Sequence, residues 1–214
     1  MFSRSVVVVE DEDFLRGLLA STLEAAGFTV GTASNALDAR RVIKNLDPDA
    51  LVLDINLGRG QTGIDIADAT RAITPEVAIV FLTDLPDARF VGKDPKDLPK
   101  NVAYLNKNLL EDTTTLIDAL QAVLTETNVK NYRHDESGSR PFANLSRTQI
   151  QIIQLLAQGN TNQQIADIRQ RSLAATESAV ARTLEAMGVD TKSDGNARVE
   201  AVSKYLAIMK QPLG

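Results

Sequence analysis

Short continuous apolar runs alternate with helical spacing through the first 125 positions of the chain. Val6 to Val9 is a β-branched run of the kind that forms a strand buried on both faces. Phe14, Leu15, Leu18, Leu19, Thr22 and Leu23 follow at helical spacing, and Gly27 is a suitable stop. Phe28 to Ala33 predicts a strand, Ala36 to Leu46 a helix, and Asp47-Pro48-Asp49 a turn. Ala50 to Asp54 and Val77 to Thr83 predict two more buried strands, with a helix from Ile64 to Ile73 between them. Val102 to Leu105 predicts a last short strand and Thr113 to Thr125 a last helix. Such alternation implies an α/β doubly wound, five-stranded parallel sheet with right-handed crossovers. One stretch breaks the rhythm. Asp84 to Asn101 holds Pro86, Pro95, Pro99 and four acids, so a long irregular segment is expected there, with room for one short helix.

Beyond residue 127 the pattern changes. Asn128 to Ala143 is polar, contains Gly138 and Pro141, and reads as a linker in which the lone His134 is solvated. Thr148 to Gln158, Asn162 to Gln170, Ala174 to Met187 and Ala197 to Lys210 each carry helical spacing. Four short helices with tight turns make a small all-α domain of the helix-turn-helix type. The expected organisation is residues 1–127, a linker over 128–143 and a helical domain over 144–214.

Charge separates the two parts. Residues 1–127 hold 12 basic and 20 acidic side chains, a net of −8; residues 128–214 hold 11 and 8, a net of +3. An acidic front and a mildly basic back suit different tasks, and the second permits nucleic-acid contact without requiring it. The absence of cysteine excludes disulfides, zinc fingers and thiol nucleophiles, and a single histidine excludes a multi-histidine metal site. The N-terminus lacks the apolar core and cleavage site of a signal peptide, and no run reaches membrane-spanning length, so a soluble cytoplasmic protein with no membrane partner is expected.

A parallel sheet binds ligands at the carboxyl ends of its strands. Those ends carry Glu10-Asp11, Asp54, Thr83 and, beyond the last strand, Lys107. Clustered carboxylates suit Mg²⁺, which prefers a few carboxylates plus water and phosphate oxygens. Asp54 can act as a nucleophile toward phosphorus, giving an acyl phosphate, with Lys107 beside the transferring oxygens and Thr83 able to bond one of them afterwards. In this order and on alternating strands, these residues resemble the receiver domain of two-component response regulators, over roughly residues 4–126. The resemblance implies that Asp54 is phosphorylated by a histidine kinase. It also implies that Glu10, Asp11, Asp54 and the Asn56 backbone carbonyl hold Mg²⁺, and that Tyr104 is a rotating switch coupled to Thr83.

Three departures stand out. The family usually reads Met-Pro and then Gly after the acceptor, where this chain reads Asn56-Leu57-Gly58-Arg59-Gly60-Gln61-Thr62-Gly63. Asp84 follows Thr83 where a small residue is usual, and Asn108 follows Lys107 where proline is usual. The extra charge of Asp84 is expected to alter the lifetime of the phosphoryl group.

Gly58-x-Gly60-x-x-Gly63 also fits a dinucleotide fingerprint, with Asp84 at the distance of its acid. Asp54-Ile55-Asn56-Leu57 intervenes before the first glycine, however, and the motif explains neither Glu10, Asp11 nor Lys107, so a plain glycine loop is the better reading. The Asp54-x-Asn56 pair resembles aspartyl-phosphate phosphatases, but those need a second acid two residues on, which Asn56 cannot supply. No enzymatic output is expected beyond phosphoryl transfer to and from Asp54.

In the second part, Leu145-Ser146-Arg147-Thr148-Gln149 and Leu155 to Ala166 are similar to the LuxR-type output domain of NarL/FixJ response regulators, over roughly residues 143–210. The resemblance implies a recognition helix near Ala174 to Met187 that enters the major groove of double-stranded DNA. Where that family often carries Thr-Val-Lys, this chain has Ala175-Thr176-Glu177-Ser178-Ala179. Thr176, Ser178, Arg182 and Lys192 are the candidate DNA contacts. The stripe Val199, Val202, Leu206 and Met209 is either a homodimer seam or core packing. Two outputs stay open, a transcription-controlling DNA binder and a degenerate helix-turn-helix serving protein interaction or dimerisation.

Overall fold

The computed structural model describes residues 3–58, 60–110, 112–189 and 196–209. They divide into two compact units. The first takes residues 1–85 and 96–136, the second 86–95 and 137–214.

The first unit is a five-stranded parallel sheet: β1 (Ser5–Val9), β2 (Thr29–Ala33), β3 (Ala50–Leu53), β4 (Ala78–Thr83) and β5 (Val102–Asn106). Spatial order is β2-β1-β3-β4-β5. Four helices accompany it: α1 (Asp13–Ala25), α2 (Ala36–Leu46), α3 (Gly63–Arg71) and α4 (Thr114–Thr125). Alternate strand residues supply each face. Val6, Val8, Val52, Val80, Leu82 and Leu105 form one apolar core with Leu19 and Leu23 of α1 and Leu116, Leu120 and Val123 of α4. Not all of α1's apolar spacing is core, because Phe14 and Leu18 are exposed.

Local chemistry sets the helix ends. Asn35 caps α2 by accepting the Asp38 amide, and Thr62 with Asp65 forms a capping box on α3. No α-helix joins β4 to β5. Instead there are two short 3₁₀ turns, Ala88–Val91 and Pro95–Asp97, consistent with the prolines that interrupt the stretch.

The second unit is α5 (Arg147–Ala157), α6 (Asn162–Arg169), α7 (Leu173–Ala186) and α8 (Ala197–Met209). Capping boxes open α5 and α6, and Ser172 caps α7. Gln170 in the left-handed region turns α6 into α7, making the helix-turn-helix. Ile150, Ile153, Leu156, Ile165, Val180, Leu184 and Tyr205 form its core.

The stretch expected as a linker differs from that expectation. Residues up to Glu136 pack with the first unit and those from Ser137 with the second, while 86–95 also fold with the second. The 86–95 segment is held by ions as well as by apolar contact. Asp87, fully buried, accepts from Arg89 at 2.6 and 2.8 Å and from Arg140 Nε at 2.9 Å. Burial raises the Asp87 pKa, but the two guanidinium partners outweigh it and hold the carboxyl below its ordinary value. Arg89 also donates to the carbonyls of Phe142 and Leu145, and Phe90 packs on Phe142.

Candidate functional site

Because the strands are parallel, β1, β3, β4 and β5 deliver Glu10, Asp54, Thr83 and Lys107 to one edge of the sheet. Lys107 reaches across it. Its Nζ donates to Glu10 Oε2 at 2.7 Å and to Asp54 Oδ2 at 2.9 Å, and all three side chains are buried. Oxygens of Glu10, Asp11 and Asp54 lie within 4.8 Å of one another, the one such acidic group among the described residues. Asp11 is the exposed member of the three. Asp54 Oδ1 accepts the Asn56 amide at 3.0 Å, so both carboxylate oxygens have partners.

Burial raises the Glu10 pKa, and the bond from Lys107 only partly opposes it. For Lys107 burial acts downward, but attraction to Asp54 and the bonds to both carboxylates win, so its pKa is raised and it stays cationic. Asp84 is exposed, yet desolvation of its carboxyl, with Asp54 and Glu12 repelling from nearby and Lys107 opposing, raises its pKa.

Thr83 and Tyr104 are both fully buried. The Leu85 amide donates to Thr83 Oγ1 at 3.4 Å, and the Tyr104 hydroxyl donates to the Leu85 carbonyl at 2.9 Å. The tyrosine ring is therefore held inward, beside Phe81.

Three contributors escaped the sequence reading. Arg16 donates from Nη1 to the Glu10 carbonyl at 2.7 Å and so anchors the acidic turn to α1. Gly63 opens α3 directly against β3, where an added methyl group would overlap the Asp54 carbonyl. The last glycine of the supposed nucleotide loop is thus a packing position, which the strand-to-helix order could have signalled. Asn106, next to Lys107, donates to the Asp84 and Leu85 carbonyls and accepts the Asn108 amide. His134 is not a solvated linker histidine: its Nδ1 accepts the Asn106 amide at 3.1 Å. The expectation failed because a polar segment can be ordered by side-chain bonds and one or two apolar anchors, here Val129 and Tyr132, too few to leave a pattern.

On the helix-turn-helix, Ser178 and Arg182 are exposed on α7, and the Ser178 hydroxyl donates to the Ala174 carbonyl. Thr176 must be corrected. It is fully buried on the stripe with Val180, Thr183 and Leu184, and cannot meet a base or phosphate in this fold. Its hydroxyl has no hydrogen-bond partner. Lys192 lies outside the described residues. On α8, Ala201 and Tyr205 are the buried positions, while Val199 is exposed and Val202, Leu206 and Met209 are half-buried.

Residues 6–93 match the response regulator receiver domain. Over 172 residues, 76% of this chain and 80% of the relative, the sequence is 26% identical to BvgA of Bordetella pertussis, a putative positive transcription regulator of virulence factors. It is 24% identical over 176 residues to the oxygen regulatory protein NreC of Staphylococcus aureus, covering 77% of this chain and 81% of that one. RcsB from Salmonella enterica serovar Typhimurium, solved bound to a promoter with the phosphomimetic BeF3⁻, shares the fold. Its TM-score is 0.59 at 18% identity, over 94% of this chain and 99% of RcsB. The receiver match thus falls on the strands that carry Glu10, Asp54 and Thr83, and over three quarters of its length the chain is similar to regulators such as BvgA and NreC. Among the described residues no helix is long and apolar enough to cross a membrane.

Proposed function

We propose that Asp54 accepts a phosphoryl group from a histidine kinase and that the helix-turn-helix unit is the output, controlling transcription from double-stranded DNA as a homodimer in the cytoplasm. The observation that carries the first half is Lys107 bonded to both Glu10 and Asp54, with Asp11 alongside. In the transfer, one Asp54 oxygen attacks phosphorus, the P–N bond to the donor histidine breaks, and the electron pair leaves with the imidazole. Lys107, already cationic, stands beside the oxygens where charge accumulates. Exposed Phe14 and Leu18 on α1 offer apolar surface for the donor protein. On this reading the chain's chemistry is confined to phosphorylation and dephosphorylation of Asp54.

The acidic cluster suits Mg²⁺. Its donors are hard oxygens, carried on three carboxylates close enough to share one ion, with no soft ligand nearby. Glu10, Asp11, Asp54 and the Asn56 carbonyl would hold it. When bound, the ion neutralises charge between the carboxylates and the incoming phosphoryl group.

A second reading of the output rests on α7. Its exposed face carries Glu177 and Glu185 against Arg182, and Thr176 points inward. That surface is not basic, and favours a protein-interaction or dimerisation module. The half-exposed stripe of α8 supports a homodimer seam under either reading.

Mass measurement after incubation with a small phosphodonor and Mg²⁺ tests the acceptor. One added phosphoryl group, dependent on Mg²⁺ and absent in Asp54→Asn, is expected. Duplex DNA binding across a salt series separates the outputs, because phosphate contacts give a steep salt slope.

A further inference from the structure

β5 is an edge strand of the sheet, and an edge strand leaves a row of backbone donors and acceptors open. Here the chain covers its own edge. After α4, Glu126 and Asn128 both adopt left-handed backbone, and the chain turns back along β5. Tyr104 forms a parallel bridge with Arg133, and two positions on, the Asn106 amide donates to His134 Nδ1. Val129 and Tyr132 rest on the apolar core of the unit. The far end is fastened by Arg133, which donates to both oxygens of buried Asp135 at 2.8 Å and pairs with Glu136.

The residues this strap holds are those of the site. Tyr104, Asn106 and Lys107 occupy four consecutive positions with Leu105, and Lys107 extends from that end of β5 to Glu10 and Asp54. Asn106 is bonded on every side: by its amide to His134, and by its side chain to the Asp84 and Leu85 carbonyls and to the Asn108 amide. As an acceptor through Nδ1, His134 is neutral, with its proton on Nε2. Burial, partly opposed by Asp135, lowers its pKa in the same sense.

We propose that His134 is a positioning residue for phosphoryl transfer: by accepting the Asn106 amide it fixes the carboxyl end of β5 and so aims Lys107 at Asp54. This rests on the reading of Asp54 as the phosphoacceptor. It assigns a function in the chemistry to a segment that leads toward the second unit and carries none of the receiver's signature residues.

Two polar substitutions in the full-length chain test it. Asparagine places an acceptor oxygen near the position of Nδ1, whereas glutamine places one near Nε2. Phosphorylation by a small phosphodonor with Mg²⁺ is followed as initial rate against donor concentration, with melting temperature recorded for each variant. His134→Asn is expected to stay within about twofold of the wild-type maximal rate. His134→Gln is expected to fall roughly tenfold, with half-saturating donor concentration unchanged, since a misaimed catalytic group costs rate rather than binding. Equal rates for both variants, whether fast or slow, overturn the proposal, as does a loss that follows melting temperature alone. A wild-type protein that takes up no phosphoryl group overturns the phosphoacceptor reading itself, a distinct outcome.

Discussion

Thr83 and Tyr104 meet on a single residue: Thr83 Oγ1 accepts the Leu85 amide, and the Tyr104 hydroxyl donates to the Leu85 carbonyl. A hydroxyl drawn toward a phosphoryl oxygen would release that amide, so the tyrosine's anchor loses its support. Thr83→Ala should therefore retain phosphorylation within a few-fold but lose its effect at Leu85. Hydrogen exchange of the 84–91 segment, with and without phosphodonor, checks this: wild-type exchange should rise on phosphorylation, and the variant should exchange quickly in both states.

Lys107→Ala should slow phosphoryl uptake by at least about 100-fold, the usual cost of removing a charge-stabilising group from a transition state. It should also cost about 3 kcal/mol at pH 7, because Glu10 and Asp54 are left buried together without a cation. In the wild type, Lys107's raised pKa means its contribution is complete below its ordinary value of 10.5 and is lost as pH rises through the higher folded value. Denaturant titrations at pH 7 and in alkali read both effects.

Asp84→Ala should lengthen the life of the phosphoryl group several-fold, as expected for removing a carboxylate that can orient attacking water. Loss of the added mass with time measures it, and identical decay for the two proteins would dismiss Asp84 from the chemistry.

Asp87→Asn should destabilise the second unit by about 3–5 kcal/mol, since Arg89 and Arg140 lose their buried counter-charge. A carboxyl whose folded pKa is depressed stabilises above its ordinary value of 3.8, and that contribution fades as pH falls through the folded value. The gap between wild type and variant, measured by chemical denaturation, should therefore close in strong acid.

Glu177→Lys exchanges an acid for a base on the exposed face of α7. If that face meets DNA, affinity should rise and the salt slope steepen by about one to two. Unchanged binding by fluorescence anisotropy would place DNA elsewhere or remove it from the output.

The sheet was legible because Val6 to Val9, Ala50 to Leu53 and Val77 to Leu82 are apolar without interruption, as expected of strands buried on both faces. Once the strands were parallel, the meeting of Glu10, Asp54, Thr83 and Lys107 at one edge followed from topology. Residues 86–95 and 129–136 were opaque for the converse reason. Beside scattered apolar anchors such as Phe90, Val129 and Tyr132, their order comes from Asp87 with two arginines, Arg133 with Asp135, and an imidazole on one amide, none of which leaves a period in the sequence. Thr176 was misread although its stripe was visible: with Val180, Thr183 and Leu184 it occupies the inward face of α7.

Residues 86–95 make the first unit unsuited to isolation by cutting the chain after α4. A fragment ending near residue 136 would keep Asp87, Arg89 and Phe90 but discard Arg140, Phe142 and Leu145, their partners. It would carry a stranded apolar and ionic patch within its own β4–β5 connection. Sequence order and folding unit do not coincide here, so no single cleavage divides the chain into two self-sufficient pieces.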